Sequence, residues 1–172
     1  RLPLPVTEPI YRRVVITFWT DPEIRRKAPD PETFAVLLNF FTGPRTTLSG
    51  LYHSPLEYVA AETRVPRDVV ETIVRRFEGD VLEYDFETEE VFVRAAFRHN
   101  LGLKRKAALK PRDNRYKAAL RETSEVHSDR LVAEFVDAYP DLAYPEDVLA
   151  RARRGNEGAY QAPSAAKPRG DS

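Results

Sequence analysis

Residues 51–93 constrain the fold more than any other stretch, because two helical patterns are followed there by two strand patterns. The first helix is predicted to begin at Ser54, whose hydroxyl would cap it. Pro55 then stands at the first helical position and Glu57 at the third, as in a capping box. Pro66 breaks the first pattern and is preset to start the second helix. The stretch therefore predicts two consecutive helices with a turn between them.

The second helical pattern has two faces of different character. Its apolar residues recur at helical spacing and predict a buried face: Val69, Val70, Ile73, Val74 and Phe77. Its polar residues predict a face toward solvent or a groove: Arg67, Asp68, Glu71, Thr72, Arg75 and Arg76. Such a helix packs on a core and still presents cations outward.

Two short β patterns follow. Val81–Asp85 and Glu90–Arg94 predict a hairpin, with Phe86–Glu89 as its loop. Leu48–His53 predicts a short strand that pairs with this hairpin. Helix, turn, helix and hairpin in this order are typical of a winged helix-turn-helix, so we expect an α+β fold with the winged-helix domain over residues 10–100.

An extended arm, a strand and two helices are predicted before this stretch. Residues 1–9, with three prolines, predict an extended arm, and Tyr11–Trp19 predicts a strand because it is rich in β-branched and aromatic residues. A short helix is predicted over residues 21–27, and a second one is capped by Asp30 and ends at Gly43. The apolar face predicted for that second helix is Phe34, Leu37, Leu38 and Phe41.

The C-terminal half is predicted to be a basic linker and helical extension over residues 101–150. Residues 97–102 predict a loop, Arg115–Arg121 a helix, and Ser128 the cap of an amphipathic helix. The apolar stripe of that last helix docks on the winged helix or meets a partner protein, and deletion from residue 126 onward is expected to leave a folded DNA-binding domain. Its acidic residues are expected to stay solvated: Asp129, Glu134, Asp137 and Asp141. Residues 151–172 predict a disordered tail, since they hold hardly any core-forming side chains.

Composition excludes several classes of protein. The 172 residues, 42% of them hydrophobic, suffice for one ordinary domain plus an extension. The absence of Cys excludes disulfides, thiolate metal sites and cysteine nucleophiles, and it favours a reducing cytosol. No apolar run approaches the ~20 residues that a membrane span needs, so no membrane association is expected. The absence of Met indicates that the numbering starts inside a longer or processed chain.

The net charge is zero, but its distribution is uneven. Residues 98–117, directly after the hairpin, hold eight basic residues and one acidic residue, with the aromatic Tyr116 among them. This basic block is where a polyanion would be held, although solvation of a linker is the alternative. The polar residues of the second predicted helix, residues 67–77, would reach bases or phosphates, and Glu71 would accept a hydrogen bond from cytosine. The alternative is again that this face is only solvated. The residues predicted to bind DNA are Arg64, Arg67, Glu71, Thr72, Arg75, Arg76, Arg98, Lys104, Arg105, Lys106, Lys110, Arg112, Arg115 and Lys117.

No pattern of catalytic, metal-binding or cofactor-binding residues is found. His53, His99 and His127 are far apart and lack a metal-motif partner, and the seven glycines form no phosphate-binding loop. Four hairpin carboxylates suggest either metal ligation or, as we prefer, a charged edge that discourages strand addition: Asp85, Glu87, Glu89 and Glu90. We therefore expect no enzyme, no metal and no cofactor.

Several segments together resemble the winged-helix replication initiators of bacteriophages and prophages. They are residues 11–14 and 18–22, residues 47–52 leading into 54–56, residues 84–85 with 90–93, residues 98–100, and residues 128–139. The resemblance covers roughly residues 11–145. It implies binding of double-stranded origin DNA, recruitment of a helicase or helicase loader, and a place in the host cytoplasm. The acidic hairpin tip departs from the family pattern, so contact of that tip with the minor groove is not expected.

Two alternatives share the scaffold. A transcriptional regulator would bind a palindrome as a homodimer, whereas a replication protein would bind repeated sites and a helicase or loader. A winged-helix protein-interaction module would show no salt-dependent affinity for DNA.

Overall fold

The computed structural model describes residues 22–100 and 114–161. In these two ranges the fold is mixed α+β, with eight helices and a three-stranded antiparallel sheet. The elements are α1 (Pro22–Lys27), α2 (Pro31–Thr42), β1 (Leu51–His53), α3 (Leu56–Thr63), α4 (Arg67–Phe77), β2 (Leu82–Asp85), β3 (Glu90–Val93), α5 (Ala96–Asn100), α6 (Asn114–Glu125), α7 (Asp129–Ala138) and α8 (Glu146–Gln161). The predicted arm over residues 1–9 and the predicted strand Tyr11–Trp19 lie outside the described residues. None of the described helices combines the length and the apolarity that a membrane crossing requires.

The sheet has the strand order β1-β3-β2, so the hairpin is extended on one side by β1 as predicted. Leu51 lies opposite Phe92, and Leu82 lies opposite Val93. The predicted strand over residues 48–53 is three residues shorter than expected. It begins after Gly50, whose φ of 82° suits glycine and whose added Cβ would lie 2.6 Å from the Cβ of Ala96.

The two predicted consecutive helices are α3 and α4, and one detail of their prediction is wrong. Helix α3 starts at Leu56 with Pro55 at the N-cap, and no side chain caps it. Ser54 is buried, and its backbone N–H donates to the carbonyl of Glu89 at 2.8 Å. The serine therefore continues the pairing of β1 with the hairpin instead of capping the helix.

The first core is formed by α2, α3, α4 and one face of the sheet. As predicted, Asp30 caps α2, since its carboxylate accepts from the Thr33 N–H at 2.7 Å and from the Thr33 hydroxyl at 2.8 Å. The predicted face of α2 is offset by one residue, because Val36 and Phe40 are buried while Leu38 and Phe41 are partly exposed. Seven of the eight residues from 34 to 41 are apolar, so periodicity alone cannot select the buried face.

The second core covers the opposite face of the sheet. Successive strand residues point to opposite faces, so Phe92 enters this core while its neighbours Val91 and Val93 enter the first. Phe135 of α7 is fully buried, and its ring centroid lies 5.7 Å from that of Phe92. The same core holds Phe97, which belongs to α5 and not to the predicted loop. The apolar stripe of α7 therefore docks on the sheet, which is one of the two alternatives predicted for it. Removal of residues 126–172 would uncover these rings, which gives a physical reason to expect that the deletion destabilises the remaining fold.

Helix α8 occupies residues that the sequence predicts to be a disordered tail, and residues 151–161 are helical instead. It packs on α7, where Asp129 accepts from Arg151 at 2.6 Å and from Arg154 at 2.8 Å. Glu134 of α7 pairs with Arg94 at 2.8 Å. The expectation that Asp129 and Glu134 are fully solvated is therefore wrong.

Two hairpin carboxylates hold the start of α7. Glu90 is 1% exposed, and its two oxygens accept from the backbone N–H groups of His127 at 2.8 Å and Ser128 at 2.7 Å. Asp85 accepts from the Ser128 hydroxyl, which itself caps α7 as predicted. Helix N-termini have unpaired N–H groups that favour anions. The charged-edge interpretation of these two carboxylates is therefore wrong.

Candidate nucleic-acid interface

Helix α4 has the two faces that its sequence predicts. Val70, Ile73, Val74 and Phe77 are buried in the first core. On the opposite side the guanidinium groups of Arg67 and Arg75 are about half exposed, and Arg76 is also exposed. The apolar face fixes the helix on α2 and α3, so the cations are held outward on a rigid element.

Glu71 lies between two of these arginines. Its Oε2 accepts from Arg67 Nη1 at 2.9 Å, and its Oε1 accepts from Arg75 Nη2 at 2.8 Å. The hydrogen bond from Arg75, followed by that from Arg67, lowers the pKa of the Glu71 carboxyl. Oε1 already accepts two hydrogen bonds from Arg75, whereas Oε2 accepts one, so a cytosine amino group would have to approach Oε2.

Arg67 also connects α4 to α3. Its Nε donates to Glu57 Oε1 at 2.6 Å, and this bond raises the pKa of Arg67 and lowers that of Glu57. The two helices are thus joined on their exposed side by an Arg67-centred pair of ion pairs. Exposed ion pairs contribute little to stability and exchange readily with a stronger anion.

The remaining predicted residues of this surface have simpler surroundings. The Thr72 hydroxyl donates to the Asp68 carbonyl at 2.9 Å, as mid-helix threonines commonly do. Arg64 is exposed and ends α3 in the left-handed conformation, with φ of 59°. Arg76 is exposed, and its charge helps to lower the pKa of Asp30, for which the Thr33 hydrogen bonds are the main cause.

The hairpin loop touches this surface through Phe86. The guanidinium carbon of Arg75 lies 4.0 Å from the centre of the Phe86 ring, within the range of a cation–π contact. The sequence does not predict this contact, although an aromatic residue in an otherwise polar loop is its signal. Arg75 is thus held from two sides, by Glu71 and by Phe86.

We define the α3–α4 surface as Arg64, Arg67, Thr72, Arg75 and Arg76 with the acidic residues Glu57, Asp68 and Glu71. Four cations face three anions here, so the net positive charge of the surface is small. Long-range attraction of a polyanion depends on net charge. It would therefore have to come from the basic block.

The structure describes the two ends of that basic block. Arg98 lies in α5 at the second core, with its guanidinium carbon 5.7 Å from the centre of the Tyr139 ring. Arg115 and Lys117 are exposed at the start of α6. Tyr116 is buried, and its hydroxyl donates to the Ala143 carbonyl at 2.9 Å, so it cannot stack on a base. The other predicted residues of the block lie outside the described residues: Lys104, Arg105, Lys106, Lys110 and Arg112.

A further polar cluster, around Glu83, is structural. Glu83 is nearly buried and pairs with Arg94 at 2.5 Å and with Arg130 at 3.4 Å, which ties β2 to the end of β3 and to α7. No sequence pattern singles out these residues, because their pairing depends on the docking of α7. Within the described ranges no group of three or more His, Asp or Glu side chains could hold a metal ion.

Comparison with known proteins found no match: no protein-family model, no curated protein and no solved structure is similar to this chain.

Proposed function

We propose that the chain is a winged helix-turn-helix protein that binds double-stranded DNA, with α4 as the recognition helix. The observation that carries the proposal is the outward face of α4, where Arg67, Arg75 and Arg76 are exposed on a helix whose other face is buried. The order of α2, β1, α3, α4, β2 and β3 and the pairing of β1 with the hairpin support the winged-helix assignment. An exposed helix after a short turn is how helix–turn–helix proteins enter the major groove.

The ion pairs on this face are compatible with DNA binding. A DNA phosphate has two oxygens that can accept both N–H groups of a guanidinium, as a carboxylate does. It can therefore take the place of the Glu71 carboxylate as the partner of Arg67 or Arg75. The exchange costs little because these pairs are solvent-exposed. The α3–α4 surface would thus contribute shape and directed contacts, while the basic block would supply most of the phosphate attraction.

We further propose that this DNA binding serves initiation of phage or prophage replication, with recruitment of a helicase or helicase loader. The support is the resemblance of the sequence segments between residues 11 and 145, in their order and spacing, to winged-helix replication initiators. A transcriptional regulator is the runner-up. Selection from a random double-stranded pool separates the two, since repeated sites support the initiator and a palindrome bound by a dimer supports the regulator.

The DNA-binding proposal is tested by comparing two sets of variants on the selected site and on an unrelated duplex. Neutralising Lys104, Arg105 and Lys106 should weaken binding to both duplexes alike, and each phosphate no longer neutralised should reduce the log–log salt slope by ~0.9. Arg75→Ala should instead weaken preference for the selected site, by ~1–3 kcal/mol if the side chain makes a bidentate base contact. Arg153→Ala in α8, outside both surfaces, is the matched control and should change neither quantity.

Equal losses on both duplexes for Arg75→Ala would reduce α4 to a phosphate-binding element. Unchanged binding in every variant would refute both proposed DNA surfaces. Absence of salt-dependent binding by the original chain would refute DNA binding and favour a protein-interaction module.

A further inference from the structure

A groove of about 810 Å³ lies between the outer edge of β1, the tip of the β2–β3 hairpin and the junction of α6 with α7. Its floor is apolar, formed by the buried residues Leu51, Tyr52 and Val126. The volume lies within the range of ~300–1,000 Å³ that is typical of ligand-binding pockets in proteins. No residue of α4 lines the groove, so it is distinct from the α3–α4 surface.

The groove is acidic. Four carboxylates line it, and no Lys or Arg is among the lining residues: the carboxylates are Glu87, Glu90, Glu122 and Glu125. Arg121, outside the lining, pairs with Glu125 at 3.7 Å, and both side chains of this pair are largely exposed. Glu90 is occupied by the start of α7, and Glu122 accepts from the backbone N–H groups of Leu48 and Ser49 at 3.2 and 2.7 Å. Glu87 and Glu125 are exposed at its rim. A concave surface lined by one sign of charge concentrates the opposite charge, so the groove favours a cationic ligand and disfavours nucleic acid.

The edge of β1 adds a second feature that suits an extended chain. Since the Ser54 N–H donates to the carbonyl of Glu89, the residue before β3, the alternation of an antiparallel pair turns the backbone of His53 outward, toward the groove. The other outward-facing residue, Leu51, is already satisfied: its N–H donates to the Ser49 hydroxyl and its carbonyl accepts from the Thr47 hydroxyl. A bound chain would therefore pair with β1 at one residue, and its side chains would provide most of the recognition.

The hairpin tip supplies a third feature. The Thr88 hydroxyl oxygen, in a residue that lines the groove, is shielded from solvent and has no hydrogen-bond partner among the described residues. Buried polar atoms are nearly always hydrogen-bonded, and an unpaired one costs free energy. Because the oxygen is shielded, a ligand N–H would satisfy it only after the hairpin tip shifts to expose it.

We propose that this groove binds an extended, Lys- or Arg-containing peptide segment of a partner protein. Glu87 and Glu125 attract its cationic side chains, the apolar floor receives an alternate side chain, and the outward backbone of His53 fixes its direction. This is a partner site in addition to the proposed DNA surface, and its presence does not depend on DNA binding.

The test uses fluorescence anisotropy of labelled, end-blocked hexapeptides in which Lys or Arg alternates with Val, and of counterparts with Glu at the charged positions. The full chain should bind the basic peptides and not the acidic ones, and an increase from about 50 to about 200 mM NaCl should weaken binding. The double variant Glu87→Gln with Glu125→Gln should bind at least about tenfold more weakly, since it removes the two exposed rim charges. Glu157→Gln, an exposed carboxylate of α8 outside the groove, is the matched control.

Thr88→Val separates binding from folding. Since Val replaces an unpaired hydroxyl by a methyl group of similar shape, the melting temperature should stay equal or rise while peptide affinity falls. The proposal would be overturned if none of the basic hexapeptides binds or if the acidic peptides bind equally well. Equal losses of affinity in the double variant Glu87→Gln with Glu125→Gln and in Glu157→Gln would also overturn it. Binding that appears only after Lys104, Arg105 and Lys106 are neutralised would assign the groove to the chain's own basic block, which would also overturn it.

Discussion

Gly155 should tolerate no side chain, because α8 approaches the backbone of α7 there. A Cβ added to this glycine would overlap the Asp129 carbonyl oxygen and would lie 2.6 Å from the carbonyl carbon and 2.9 Å from the Arg130 nitrogen. These atoms belong to the first turn of α7, which Glu90 and Asp85 hold against the hairpin, so they cannot move freely. In Gly155→Ala the two helices must therefore separate.

The expected magnitude follows from two opposing effects. Overpacking of a close contact costs ~1–3 kcal/mol, whereas alanine favours the helix over glycine by ~1 kcal/mol, so we expect a net loss of up to about 2 kcal/mol. Gly158→Ala in the same helix is the matched control, since nothing lies within 4 Å of its added Cβ. This second variant should gain up to ~1 kcal/mol.

Urea unfolding followed by far-ultraviolet circular dichroism measures both variants against the original chain. The midpoint should fall for Gly155→Ala and stay equal or rise for Gly158→Ala. A rise of similar size in both would refute the close packing of α8 on α7 at residue 155.

Three further predictions concern the two cores and their caps. Phe135→Ala should lower the free energy of unfolding by ~3–5 kcal/mol, because the ring is fully buried against other aromatic rings, and a urea midpoint shift worth less than about 1 kcal/mol would contradict the second core. Asp30→Ala should cost ~1 kcal/mol at pH 7 as a lost cap. Hydrogen bonds from Thr33 lower the folded-state pKa of Asp30. This stabilisation is therefore present above the unfolded-state pKa of ~3.9 and is lost as pH falls through the folded-state value. A difference in unfolding free energy between Asp30→Ala and the original chain that persists unchanged at lower pH would argue against the charged cap. Asp129→Ala should cost ~1.5–3 kcal/mol through its lost charged hydrogen bonds, and the exposed control Asp137→Ala less than ~0.5 kcal/mol in the same unfolding assay.

The elements with clear two-sided patterns could be predicted from the sequence. The buried and exposed sides of α4 agree with its periodicity, because apolar and charged residues alternate there without ambiguity. The same reasoning could not orient α2, in which residues on all sides are apolar. It also missed the helical residues 151–161, because their order comes from packing of α8 on α7 and not from local composition.

The hairpin carboxylates show a second kind of failure. Glu90 and Ser128 are 38 residues apart in the sequence. No local pattern predicts that the Glu90 carboxylate binds the backbone at the start of α7. For the candidate DNA surface the residue types could be read from the sequence, whereas the bonding of Glu71 to both Arg67 and Arg75 depends on how the side chains are arranged in space.

Glu71→Gln tests most directly whether the outward face of α4 contacts DNA. The variant keeps the shape of the side chain but removes the negative charge that holds Arg67 and Arg75, so both guanidinium groups are released toward phosphate or base. On the selected duplex its affinity should rise, and the log–log salt slope should steepen by ~0.9 for each additional phosphate that the protein neutralises. The control Glu157→Gln, which removes the same charge from α8, should leave affinity and slope unchanged. Unchanged affinity and unchanged salt slope in Glu71→Gln would contradict contact of DNA by this face of α4.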